Sequence, residues 1–184
     1  DVLRAMEEIC VESSGWATKG SEVQLCLARR EHVKDIMAFI RALAAFEQMS
    51  DQVKTSEEYL LNVGFGDRPR FYCFLAYSGS APAGFALLHA AFSTWRGEYL
   101  FLEDLYVHEE HRKSGIGKML LRAAIELSAR LRCARLDWQA LDWNQPALTF
   151  YQHKIGAEQM REWIYHRLSA ESMAAFLEAE QIRD

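Results

Sequence analysis

The residues best suited to chemistry lie at one junction. A long apolar run over residues 100–107 gives way to a short polar loop, which then reads Arg112-Lys113-Ser114-Gly115-Ile116-Gly117-Lys118. Glycine lets a backbone approach a ligand closely. The amides that open a helix lack intrahelical partners and sit at the positive end of its dipole, so an anion fits there. Arg112, Lys113, Lys118 and Arg122 add positive charge nearby. A pyrophosphate is the natural guest. A strand-to-helix turn without a ligand is the other reading of the same glycines.

Other phosphate and metal patterns fail on residues. A dinucleotide fingerprint needs glycine where Leu120 stands; a P-loop needs glycine at Arg112 and Ser or Thr at Met119. His108 and Glu109 begin a metalloprotease-like string that Arg112 breaks where a second histidine is required. His108 and His111 therefore read as solvated loop histidines, and no metal is expected. Glu103 and Asp104 interrupt the apolar run. A charge there is costly unless it is used or paired. On a regular strand the two would point to opposite faces. Capping a turn or pairing with an arginine is the structural alternative for either.

The chain has 184 residues, half of them hydrophobic and 26% charged, which is ordinary globular composition. Its formal charge of −5 argues against a nucleic-acid binder held by a basic face and against a polybasic membrane anchor. No run approaches the ~20 apolar residues that span a bilayer, and residues 1–20 lack the apolar centre of a signal peptide. Cys10, Cys26, Cys73 and Cys133 are scattered, so free thiols in a reducing, cytoplasmic setting are expected.

The elements that must position these residues follow from periodicity. Residues 1–8 read as a turn or two of helix, 13–21 as a linker, and 1–21 together as an N-terminal extension ahead of a domain over 22–184. Strands are expected over 23–28, 71–77, 84–92, 98–107, 133–140 and 163–168. Helices are expected over 33–47, from Thr55 to before Gly64, from Gly115 to beyond Leu127, over 144–153 and over 169–180. Thr55 and Glu58 read as a capping box, and Pro146 suits a first helical turn. The class is α/β.

Arg112-x-x-Gly115-x-Gly117 after a strand resembles the acetyl-CoA motif of the GNAT N-acetyltransferases. Leu141-Asp142-Trp143-Asn144-Gln145-Pro146, followed by Phe150-Tyr151 and Gly156-Ala157, resembles the later GNAT motif. Ala45-Phe46-Glu47, Asp51-Gln52-Val53-Lys54, Gly64-Phe65-Gly66-Asp67, Ser93-Thr94-Trp95 and the 99–104 block Tyr-Leu-Phe-Leu-Glu-Asp resemble the diamine acetyltransferase branch. That branch holds the spermidine/spermine and the thialysine acetyltransferases. Polyamine-acetylating relatives carry aspartate where Ser93 stands, and thialysine-type relatives carry serine; the string from Leu141 to Gln145 also leans toward the thialysine type. Many relatives carry glycine where Lys113 stands, so the loop here is stiffer and more basic.

The resemblance implies a GNAT fold, a mixed and mostly antiparallel sheet flanked by helices. It implies acetyl transfer from acetyl-CoA to a primary amine of a small cationic substrate, by direct attack. Glu103 is the carboxylate that takes the ammonium proton through water, and Tyr151 the general acid for the departing thiolate. The backbone of Leu105, Tyr106 and Val107 binds the acetyl and pantetheine part, and one amide there stabilises the oxyanion. Arg112, Lys113, Ser114, Gly115, Ile116, Gly117 and Lys118 hold the pyrophosphate. Asn144 and Ala147 serve the cofactor arm, Asn144 also capping its helix. Phe46, Glu47, Ser93, Trp95, Glu103 and Asp104 are the amine-recognition candidates. Core packing remains open for Phe46, and core or dimer packing for Trp95. A half-buried structural tyrosine remains open for Tyr151. A homodimer is expected, without nucleic acid or membrane. A polyamine N1-acetyltransferase, a protein-lysine acetyltransferase and a non-catalytic CoA-binding protein are the alternatives.

Overall fold

The alternation of Val23, Leu25 and Leu27 builds the first strand of a five-stranded sheet in the computed structural model, which describes residues 1–16 and 22–181. In chain order the elements are α1 (Val2–Glu12), β1 (Val23–Leu27), α2 (Val33–Phe46), α3 (Glu57–Gly64), β2 (Tyr72–Ser78), β3 (Ala81–Ser93), β4 (Gly97–Val107), α4 (Ile116–Arg130), β5 (Leu136–Trp138), α5 (Gln145–Thr149) and α6 (Ala170–Gln181). They fall into two compact units, Asp1–Leu141 and Asp142–Asp184.

In the first unit the sheet order is β1-β2-β3-β4-β5. The first four strands are antiparallel neighbours, and β5 runs parallel to β4. This is the mixed, mostly antiparallel sheet that the sequence leads one to expect. One face carries a core of Val33, Ile36, Met37 and Phe39 from α2, Leu60 from α3, and Cys73, Leu75, Phe85, Leu87 and Tyr106 from the strands. Phe39 stacks on Phe85 with ring centroids 5.3 Å apart. Helix α4 covers the other face with Ile116, Met119, Leu120, Ala123, Ala124 and Leu127 buried.

Gly84 sits where β3, β4 and α4 converge. A Cβ there would lie 2.6 Å from the Tyr106 carbonyl oxygen and 3.2 Å from Leu120 Cδ1. Neither the strand backbone nor the helix can yield cheaply. Gly84→Ala is expected to destabilise the fold by about 2–3 kcal/mol, the cost of overpacking, read as a lower denaturation midpoint with an unchanged slope.

Several boundaries differ from expectation. The expected extension contains an 11-residue helix, α1, with Met6 and Ile9 fully buried and Glu8 and Glu12 both bonded to Arg130 of α4. The expected linker lies outside the described residues from position 17 on. Ser56, not Thr55, caps α3: its hydroxyl accepts from the Tyr59 amide at 3.2 Å, while the buried Thr55 hydroxyl has no partner. The strand expected over 133–140 shortens to Leu136–Trp138, because β4 pairs with it only through Leu100–Leu102.

In the second unit, α5 begins at Asn144, whose Oδ1 accepts from the Ala147 amide at 3.4 Å. The helix then widens into a π-helical stretch, Phe150–Ile155, which ends at Gly156. No strand forms over 163–168; the segment is irregular, with Trp163, Ile164 and Tyr165 exposed. Apolar alternation supplies strand propensity, but a ladder needs a partner edge, and the described sheet ends at β5.

Candidate functional site

The site is organised by a break in one ladder. Between β3 and β4, Leu87 pairs with Asp104, but Leu88 pairs with Leu102, so Glu103 is the extra residue of a β-bulge. Alternation along β3 puts Phe85, Leu87 and His89 on one face. Asp104 shares that face as the partner of Leu87. Glu103 reaches it too, since its Oε2 lies 3.4 Å from His89 Nε2, and His89 stacks on Phe101 with centroids 5.3 Å apart. The expectation that the two neighbouring carboxylates point apart is therefore corrected: the extra residue turns both toward the α2 side of the sheet.

Electrostatics agree with that placement. Burial pushes the Asp104 carboxyl up to about 7, with the charges of Glu103 and then Glu47 adding to the effect. Glu47, at the C-terminal end of α2, is also raised by partial burial. Three carboxylates thus converge on one face of the first unit. No arginine pairs with Glu103 or Asp104 among the described residues, so the reading of either as an arginine partner falls away.

The same bulge shapes the strand beyond it. Past Leu102, β4 continues to Val107 with no ladder partner on its β5 side among the described residues. Its other edge stays bonded to β3, with Leu105, Tyr106 and Val107 opposite Ala86, Phe85 and Gly84. Backbone groups of the three residues expected to hold an acyl arm therefore lie along an open strand edge.

Helix α4 starts immediately after. Gly115, at φ +102°, occupies the left-handed region that favours glycine, and it offers no side-chain cap to the first helical amides. The opening turn of a 15-residue helix, through Ile116, Gly117 and Lys118, presents amides that the N-cap side chain does not satisfy. Lys113 adopts φ +62°, a conformation that costs an L-residue roughly 1–2 kcal/mol. Ser114 Oγ donates to the His111 carbonyl at 2.5 Å and fixes the loop. Lys118 is exposed.

Arg112 points elsewhere than the loop. Its Nε donates to the Val107 carbonyl at 3.1 Å, and its guanidinium lies 4.9 Å from the centroid of Phe46 and 5.5 Å from that of Tyr106. It thereby joins the end of β4 to the end of α2. Phe46, 37% exposed, is not a core residue. Trp95 is 83% exposed in the β3–β4 turn, which excludes core packing for it as well. Ser93 Oγ accepts from the Trp95 amide at 3.3 Å.

In the second unit, Asn144 and Ala147 are joined by the helix cap itself, and Tyr151 lies in the π-helical stretch. Such stretches recur at functional positions. The Tyr151 phenol is raised above its ordinary value by burial, and its carbonyl accepts from the Ala157 amide at 2.9 Å. Two features were not read from the sequence. One is the His89–Glu103 pair, for which the available signal was a histidine at an apolar position of an alternating strand. The other is the Arg112–Phe46 stack, which no spacing announces. Among the described residues no group of three or more His, Cys, Asp or Glu is placed to hold a metal ion, and no helix is long and apolar enough to cross a membrane.

Residues 36–157 match the acetyltransferase (GNAT) family. The chain belongs to the GNAT family of acetyltransferases. A thialysine N-epsilon-acetyltransferase from Mus musculus is 37% identical over 157 residues, covering 79% of this chain and 92% of that protein. A spermidine/spermine N(1)-acetyltransferase-like protein 1 from Homo sapiens is 30% identical over 148 residues, covering 76% of this chain but 21% of that protein. Among solved structures, an integron cassette protein from V. cholerae superposes with a TM-score of 0.69 at 25% identity, covering 86% of this chain and 99% of that one. Within the family the likeness thus runs to the diamine and thialysine branch, and the GNAT chain is an acetyl-CoA-dependent acyltransferase.

Proposed function

We propose that this GNAT enzyme acetylates a primary amine of a small cationic substrate, of the thialysine or lysine type, in preference to a long polyamine. The observation that carries the reading is the convergence of Glu47, Glu103 and Asp104 on one face, where the β4 bulge meets the end of α2. A cationic chain needs such counter-charge, and Trp95 and Phe46 offer aromatic surface for its methylenes. The relatives acting on thialysine and on polyamines support the substrate class.

Acetyl-CoA supplies the electrophilic thioester carbonyl. The opening amides of α4, through Gly115, Ile116 and Gly117, suit its pyrophosphate, with Lys113, Ser114 and Lys118 beside them. The open edge at Leu105–Val107 suits the acetyl and pantetheine arm, and by family resemblance Asn144 and Ala147 also serve the cofactor. An alkyl amine with a pKa near ~10.4 arrives protonated. Glu103 takes that proton through water, and the freed nitrogen attacks directly. Tyr151, kept protonated by burial, gives its proton to the departing sulfur.

Ser93 is uncharged where polyamine-acetylating relatives carry aspartate. One missing charged contact is worth about 1.5 kcal/mol, or roughly tenfold. A kinetic panel of thialysine, lysine, ornithine, putrescine, spermidine and a histone-tail peptide is expected to give thialysine a kcat/KM about tenfold above spermidine. A clear lead for spermidine overturns the reading of Ser93, and a lead for the peptide moves the function to protein lysines. No turnover on any amine despite tight acetyl-CoA binding makes the chain a CoA-binding protein. The exposed Trp163, Ile164 and Tyr165 and the exposed Trp95 support a homodimer, which sedimentation tests. Four free thiols support a reducing, cytoplasmic setting.

A further inference from the structure

We propose that His89 is the proton holder behind Glu103: a proton taken from the substrate ammonium passes from the Glu103 carboxyl to His89 Nε2 and leaves to solvent from the imidazole. The inference rests on the acetyltransfer reading above and adds a residue to it.

The geometry is specific. His89 Nε2 lies 3.4 Å from Glu103 Oε2. The other ring nitrogen, Nδ1, lies 3.2 Å from the Ala90 carbonyl oxygen. A carbonyl accepts only, so in the neutral ring Nδ1 carries the hydrogen, and the Nε2 lone pair faces the carboxylate. Two lone pairs at that separation repel unless a proton lies between them. The pair is thus built to share one. Stacking on Phe101 at 5.3 Å fixes the ring plane, and the β4 bulge fixes the carboxylate.

The chemistry favours a second holder. A carboxylate is by type a weaker base than an alkyl amine or an imidazole, so a neighbouring imidazole can draw the proton onward. Once protonated, Glu103 must be emptied before the next turnover. Asp104 and Glu47 are the other titratable groups facing it. Burial raises both, so each holds a proton more tightly than an ordinary carboxylate and passes it on to solvent less readily. His89 is about a third exposed and Glu103 about half, so both meet water, and His89 is the nitrogen base in contact with the carboxyl. The step balances: the ammonium N–H bond breaks as Glu103 gains O–H, that O–H breaks as Nε2–H forms, and the imidazolium returns the proton to solvent. His89 acts through Glu103 and is a positioning residue, not one that touches substrate.

The test is a double-mutant cycle on the full chain, with thialysine as the amine. His89→Ala is expected to lower kcat about tenfold while leaving KM for acetyl-CoA unchanged, and added imidazole is expected to restore most of the loss. Glu103→Gln is expected to lower kcat further and to be deaf to imidazole. The double variant should lose no more than Glu103→Gln alone, because the two act in series. Additive losses, or a His89→Ala enzyme that imidazole does not rescue, overturn the proposal. His89→Gln, which keeps size and polarity without the acceptor nitrogen, guards against a folding defect: with wild-type melting and wild-type kcat it also overturns the role. A wild-type chain without amine acetylation removes the function reading itself, and this inference with it.

Discussion

Replacing Tyr151 with phenylalanine is expected to lower kcat by roughly 10²-fold or more, about 2.7 kcal/mol of transition-state stabilisation, while acetyl-CoA still binds. The substitution deletes one oxygen and keeps the ring, so the π-helical stretch Phe150–Ile155 and its Gly156 cap retain their packing. What is lost is a proton donor. Burial raises the phenol above its ordinary value near ~10, so it stays protonated through neutral and moderately basic pH. It can therefore meet a thiolate, whose conjugate acid lies near ~8.5 by analogy with cysteine. In the wild type, kcat is accordingly expected to hold to about pH 9, without a falling limb from this group. Free thiol release measures kcat, and calorimetry measures acetyl-CoA affinity. Unchanged turnover in the variant would remove Tyr151 from the mechanism and return it to the half-buried structural tyrosine of the alternative reading. Loss of affinity together with turnover would mark it as a packing residue of the second unit.

The parts of the fold written in local pattern were legible in the sequence. Helix α2 announces itself through Val33, Ile36, Met37 and Ile40, and Gly115 marks the opening of α4 to the residue. The parts set by partners were not. No rule of alternation distinguishes the 133–140 run, of which three residues pair, from the 163–168 run, which forms no strand. Both depend on which edge is available, a non-local fact. The cap at Ser56 in place of Thr55 is a one-residue choice between two hydroxyls, made by packing. The bulge at Glu103 is the most telling case. A reading of β4 as a regular strand sends the carboxylates to opposite faces. The ladder shift between Leu87 and Leu88 brings both to the α2 side, and on the other edge the pairing with β5 stops at Leu102 although the apolar run continues to Val107. One extra residue thus creates the acidic cluster, beside the stretch of β4 that β5 does not reach. Which residues to look for came from family resemblance. How they are brought together was not, because a bulge is a property of two strands.

That clustering has a thermodynamic signature, carried by Asp104. Its carboxyl, ordinarily near ~3.9, is held at about 7 by burial and by Glu103 and Glu47. A group that binds its proton more tightly when folded contributes stability that is fully present below its unfolded pKa. That contribution fades as pH rises, and it is gone above the folded value. The window is therefore about pH 4 to 7. At pH 8 the native state carries a buried charge beside two like charges; at pH 4 it does not. Asp104→Asn removes the charge and keeps the shape of the protonated acid. At ~1.4 kcal/mol per unit, reduced because part of the side chain meets water, the variant is expected to gain about 2 kcal/mol at pH 8. That is a Tm rise of about 5 °C for a chain of this size, and the gain should be close to zero at pH 4. Thermal melts of the two proteins across that range measure it, and an equal shift at every pH would show that Asp104 is not titrating where its surroundings place it. The same variant is expected to bind cationic amines more weakly. A bound ammonium supplies the counter-charge that the cluster lacks, so amine binding to the wild type at pH 6.5 should release protons, and binding to Asp104→Asn should release fewer. On the proposed reading the cluster is an instability of the free enzyme, and proton release on amine binding is the sign that a cationic substrate relieves it.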